Sequence, residues 1–131
     1  MASELVVWSE AAPPEEGRKS SSRPVDLVHL SRYTLGERAL GREVLQLFCT
    51  QSTIYLERLR EARSDKDWTD AAHSLKGSAY AIGAWRAAEA AERAEALSGE
   101  ALAQARALRL REIESSLREA ETYIGALLEN R

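Results

Sequence analysis

Downstream of Val25, apolar residues recur at alternating intervals of four and three. Trp68, Ala72, Leu75, Ala79 and Ile82 form one such stripe, and Leu110, Ile113, Leu117, Ala120, Ile124 and Leu127 form another. An α-helix turns by about 100° per residue, so this spacing gathers the apolar side chains on one face. No segment shows the strict alternation of a half-buried strand, and no internal repeat is present. A chain patterned this way buries its stripes by packing helix on helix.

The punctuation between stripes sets the elements. Pro24 and Asp26 suit a helix start, and a short helix is expected over 26–33. Gly36 and Gly41 mark a break or a weak entry to the next helix, a long one over 38–63. That helix carries Leu40, Val44, Leu47, Phe48, Tyr55 and Leu59 at helical spacing, with Gln51 as the polar exception. Ser64-Asp65 offers a turn and an N-cap for a third helix over 67–82, which Gly83 ends. A fourth helix over 85–97 is rich in alanine, so its neighbours can approach closely, and Ser98-Gly99 closes it. The last helix spans 101–128. Short loops between long amphipathic helices predict an all-α, up-and-down antiparallel four-helix bundle, with the short extra N-terminal helix capping one end.

This bundle is expected over residues 25–131, preceded by a flexible N-terminal segment over 1–24. Residues 9–24 are rich in Pro, Ser, Gly and charge, while Leu5-Val6-Val7-Trp8 is either a loose apolar end or a docking element. A length of 131 residues fits one domain, and 44% hydrophobic residues suffice for a packed core. The net charge of −3 argues against general nucleic-acid binding. No apolar run approaches a membrane span, and no basic region precedes Leu5, so a cytoplasmic protein is expected. Cys49 is the single cysteine, which excludes an intramolecular disulfide and suggests a buried structural thiol. Trp68 is expected to anchor the core, and His29 to be structural.

The chemistry is concentrated in His73-Ser74-Leu75-Lys76-Gly77-Ser78. Lys76 and Gly77 lie three and four residues beyond His73, on one helix face with it. On the helical wheel His73 points roughly 140° away from the Trp68–Ile82 stripe, with Lys76 and Tyr80 flanking the same outward side. Glycine in mid-helix costs about 1 kcal/mol relative to alanine. Here Gly77 opens the surface one turn from an imidazole, so another protein's active site can come close. A neutral imidazole is a nucleophile, and Lys76 can offset the charge of a phosphoryl group held on it. If the turn centres near Ala84, His73 is level with Glu95 on the next helix, with Glu92 the alternative one step off register. A carboxylate there would accept a hydrogen bond from one ring nitrogen and leave the other free. Tyr80 either lines a partner-docking surface or is a plain surface tyrosine.

The run from His73 to Ala79, followed by Gly83 and preceded by Trp68-Thr69-Asp70-Ala71-Ala72, resembles the signature of histidine-containing phosphotransfer (HPt) domains. The resemblance covers about residues 25–128. It implies that His73 accepts a phosphoryl group from a receiver-domain aspartate and passes it to another, between a hybrid histidine kinase and a response regulator. It maps the family's lysine and small glycine onto Lys76 and Gly77, and its Gln or Glu onto Glu95. It implies a monomeric phosphoryl carrier and not an enzyme, with no cofactor of its own and with Mg²⁺ in the partner receiver domain. One departure is the run Ala87, Ala88, Ala91 and Ala94, where the family often carries larger aliphatic residues.

Rival readings are weaker. A sensor-kinase phosphoacceptor domain usually has an acidic residue straight after the histidine and a proline soon after; Ser74 follows here, and no proline lies beyond Pro24. The phosphoacceptor domain of a chemotaxis kinase is similar locally, but no kinase segment is attached. A di-metal bundle would need Glu-x-x-His pairs. The main alternative is a helical adaptor that binds receiver domains without phosphotransfer.

Overall fold

A computed structural model describes residues 23–129. The segment 1–22, including Leu5–Trp8, lies outside the described residues, as does most of the expected flexible lead-in. Five helices follow in order: α1 (Leu27–Thr34), α2 (Arg38–Glu61), α3 (Asp65–Ile82), α4 (Trp85–Glu95) and α5 (Gly99–Glu129). The described chain is all-helical, and α2 to α5 form the bundle.

The local signals act where the sequence places them. Asp26 caps α1 by accepting from the His29 N–H at 3.1 Å. Ser64 caps α3 by accepting from the Asp67 N–H at 3.1 Å. Gly83 ends α3 with φ +76°, the left-handed conformation that spares only glycine a Cβ penalty. Most boundaries shift by one or two residues, and the shift between α4 and α5 has a visible cause. Helix α4 stops at Glu95 with a right-handed cap at Ala96, and Gly99, although left-handed, opens α5, where its N–H donates to Asp65 Oδ2 at 2.6 Å. Gly41 is no entry signal. It lies buried inside α2, where a Cβ would make only an ordinary contact with Leu30 of α1 at 4.0 Å.

The α3 stripe is buried as its spacing requires, with Trp68, Ala72, Leu75 and Ala79 at 0% exposure. The alanines of α4 are also buried, and Trp68 Nε1 donates to the Ala94 carbonyl at 2.7 Å. On α2 the inward row is Gly41, Leu45, Phe48, Ser52 and Leu59. Leu40 and Leu47, expected in the core, remain exposed at 38% and 54%. Both rows have helical spacing, and the row that turns inward includes the small Gly41 and Ser52. Ser52 reaches Glu121 of α5 at 3.4 Å. Cys49 is half-buried and not enclosed, with burial and the nearby Glu121 pushing its thiol pKa up.

Two arginines tie the ends of α2 to α5. Arg106 donates to the carbonyls of Leu59, Arg60 and Ala62 at 2.8–2.9 Å, which closes the C-terminal end of α2, and its guanidinium stacks 5.3 Å from the Trp68 ring centroid. Arg42 donates to the Leu128 carbonyl at 2.8 Å. At the far end, the Asp26 N–H donates to the Gly83 carbonyl at 2.9 Å and Trp85 Nε1 donates to Asp26 Oδ2 at 3.1 Å. The buried His29 ring meets Trp85 edge-on at 4.7 Å, and burial lowers its pKa against the pull of the Tyr80 backbone and Asp26. Helix α1 is thereby latched to the α3–α4 turn.

Arg106→Ala is expected to destabilise the fold by about 2 kcal/mol, since charged donors to three carbonyls and a cation–π contact are lost together. Arg106→Lys should restore only part, because an ammonium lacks the planar fork. Urea unfolding of the three proteins checks both. Gly83→Ala should cost at least as much: it strains a positive φ, and its Cβ would lie 2.7 Å from that of Asp26.

Candidate functional site

Helices α3 and α4 run antiparallel around the Gly83-Ala84 turn, so residues equidistant from Ala84 face each other. The structure brings His73 of α3 and Glu95 of α4 together, with Nδ1 and Oε2 2.7 Å apart. The other carboxylate oxygen is 2.7 Å from Lys76 Nζ. Glu95 therefore bridges the imidazole and the ammonium, while Glu92 stays exposed on the outer surface of α4. Bonding at Nδ1 leaves Nε2 as the ring nitrogen not engaged by Glu95. A carboxylate partner favours the tautomer with the proton on Nδ1, so Nε2 keeps its lone pair.

Exposure is graded across the group. The His73 side chain is 60% exposed, whereas Lys76 and Glu95 are 20% and 22% exposed. Burial alone would raise the Glu95 carboxyl pKa, but the Lys76 ammonium and the His73 imidazole outweigh it and hold the carboxyl below its ordinary value of 4.5. The arrangement is a reachable nucleophile set on a shielded, charged support.

A groove of ≈ 550 Å³ begins at His73 and runs between α3 and α2. Ser74, Gly77, Ser78 and Ala81 line one side, Val44, Leu47, Gln51 and Tyr55 line the other, and Tyr33 of α1 joins them. Gly77 thus lies on the groove wall beside the histidine. Tyr80 does not belong to this surface. It is 4% exposed, its ring centroid 6.0 Å from that of Trp85. The outward reading of Tyr80 is corrected: the helical wheel of α3 does not register that α1 and the first turn of α4 cover its last turn. On the α2 side, Val44, Leu47 and Tyr55 belong to the helically spaced row of the sequence, and spacing alone does not separate groove from core. Tyr33 carried no signal.

Among the described residues, no group of His, Cys, Asp and Glu is arranged to hold a metal ion, and no helix is long and apolar enough to cross a membrane.

A helical bundle that presents a histidine on its third helix, supported by a lysine one turn on and a carboxylate from the next helix, is the architecture of a histidine phosphotransfer domain. The chain belongs to the Hpt domain family: residues 43–129, about two thirds of its length, match the family model of the Hpt domain. It is also similar to the crystal structure of histidine phosphotransferase ShpA from Caulobacter crescentus, at 30% identity and a TM-score of 0.63, with 81% of this chain and 91% of that chain covered. No curated protein sequence matches the chain.

The sign of the Glu95 shift fixes a pH dependence. A carboxyl with a lowered folded-state pKa contributes stability that is fully present above its unfolded value of 4.5 and is lost as pH falls through the lowered value. Wild type is therefore expected to be more stable than Glu95→Gln at neutral pH, with the gap closing in acid below 4.5. Urea unfolding of both proteins across that range is the check.

Proposed function

We propose that this protein is a phosphorelay intermediate that receives a phosphoryl group on His73 Nε2 from an aspartyl phosphate of one receiver domain and gives it to an aspartate of another. The donor is expected to be the receiver of a hybrid histidine kinase and the acceptor that of a response regulator. The observation that carries this reading is the Nδ1–Glu95 bond, which leaves Nε2 as the other nitrogen of a ring on a 60% exposed side chain.

In the transfer, the Nε2 lone pair forms the N–P bond while the aspartyl O–P bond breaks and the aspartate leaves as carboxylate. The proton on Nδ1 stays, so the phosphorylated ring is cationic. Glu95, already ionised and in contact, stabilises that developing charge without reorganising. In the reverse direction the same cationic ring is a good leaving group, so one arrangement serves acceptance and donation. Lys76 starts the cycle on Glu95 Oε1 and lies one turn from His73, where its ammonium can meet the phosphoryl oxygens. Gly77 keeps the adjoining surface low.

The partner must place its phosphorus within bonding distance of Nε2, so its surface meets the groove at its His73 end. Leu47 is the most exposed large apolar side chain there, at 54%. Mg²⁺ and the acidic pocket belong to the receiver. This chain contributes the positioned imidazole and the docking face, which makes it a carrier, and we propose that it works in the cytoplasm as a monomer.

Wild type incubated with phosphorylated receiver domains should acquire an acid-labile, base-stable label that His73→Gln never acquires. Glu95→Ala should be labelled about tenfold more slowly, the equivalent of about 1.4 kcal/mol of lost transition-state stabilisation. If every donor in a panel leaves folded wild type unlabelled, the adaptor reading replaces this one.

A further inference from the structure

Resting on the phosphotransfer reading above, we infer that Asp65 and Trp68, in the first turn of α3, are positioning residues: they hold the end of α4 so that Glu95 bridges His73 and Lys76. Glu95 is the final residue of α4, a helix of 11 residues. Helix ends fray, and a helix this short depends on its packing for order. A carboxylate there is also opposed by the helix dipole, whose C-terminal end is negative. Ala96, which follows, is right-handed, so no glycine cap closes the helix behind Glu95. The carboxylate of the site thus stands on the part of α4 with the weakest local reasons to stay ordered.

Two bonds from α3 grip the chain on either side of it. The Trp68 indole donates to the Ala94 carbonyl at 2.7 Å, one residue before Glu95, and that carbonyl also accepts from the Leu97 N–H at 3.2 Å. Asp65 Oδ2 accepts from the Gly99 N–H at 2.6 Å, four residues after Glu95. Asp65 and Trp68 are three positions apart on α3, and hence on one face of it. His73 and Lys76 follow on the same helix, with His73 about 12 Å beyond Asp65 at a rise of about 1.5 Å per residue. The imidazole, the ammonium and the clamp therefore share one rigid element, and the clamp sets where the carboxylate of α4 meets them. Trp68 is at 0% exposure and cannot reach a partner, so its influence on transfer has to pass through Glu95.

The test measures phosphotransfer from a panel of phosphorylated receiver domains to Asp65→Ala, Asp65→Asn and Trp68→Phe, each with Glu95 present and in a Glu95→Ala background. With Glu95 present, Asp65→Ala and Trp68→Phe are expected to be labelled about threefold more slowly than wild type; in the Glu95→Ala background neither should slow labelling further. Asp65→Asn keeps an acceptor for the Gly99 N–H and should retain most of the rate. The second readout is the nitrogen NMR spectrum of the neutral His73 ring, assigned by comparison with His73→Gln, since the chain has two histidines. Loss of the clamp should loosen the Nδ1–Glu95 bond and bring the shifts of the two ring nitrogens closer together. Asp65 is exposed, so Asp65→Ala leaves the core intact and decides the matter even where Trp68→Phe unfolds. The inference is overturned if Asp65→Ala leaves labelling or the ring spectrum unchanged, or slows labelling equally with and without Glu95. No label on wild type from any receiver sinks the relay reading, and the ring spectra, which need no partner, then decide the clamp alone.

Discussion

The hydrogen bond from the Trp68 indole to the Ala94 carbonyl fixes the register on which the site depends. A fully buried indole N–H has to find an acceptor. It finds a helix backbone because the alanine face of α4 lets that backbone come within 2.7 Å. Larger aliphatic residues at those positions would hold the two helices apart. With Ala94 pinned, the next residue, Glu95, arrives level with His73 and Lys76. The other side of the same indole carries the Arg106 guanidinium, which closes the end of α2. One buried ring therefore couples the spacing of α3 and α4 to the termination of α2 and the seating of α5.

The site balances two demands that pull in opposite directions. A carrier's nucleophile has to be reachable by other proteins, which argues for exposure. Electrostatic support works best where water is excluded, which argues for burial. Grading the exposure from His73 inward to Glu95 and Lys76 meets both. Water still reaches the ring, but the charges that fix its tautomer are largely out of competition with solvent. Ionisation of Glu95 is secured by its neighbours against the cost of its own partial burial.

What the sequence revealed was what is local and periodic. The helix sequence, the Ser64 and Gly83 signals, the α3 stripe and the pairing of His73 with Glu95 across a tight turn all follow from spacing. The misread positions share one cause, a neighbour that periodicity does not contain. Tyr80 appears outward on the wheel of α3, and Trp85 and α1 cover it. Helix α2 has two rows of helical spacing. The row that turns inward includes Gly41 and Ser52, which are not apolar side chains at all, while Leu40 and Leu47 face out. Choosing between such rows needs the shapes of α1 and α5. Tyr33 was unreadable for the same reason: its place in the groove is set by a latch to Gly83 about fifty positions away.

The latch, the arginine clamps and the Trp68 bond differ in how much chain each must gather. The Trp68–Ala94 bond closes a separation of 26 residues, whereas the Arg42–Leu128 bond closes one of 86. The cost of closing a loop grows with the logarithm of its length, so the longer closure is dearer by about 1 kcal/mol of chain entropy. His73 and Glu95 thus belong to the hairpin with the lower closure cost, and fraying that releases the ends of α2 and α5 need not disturb the register between them.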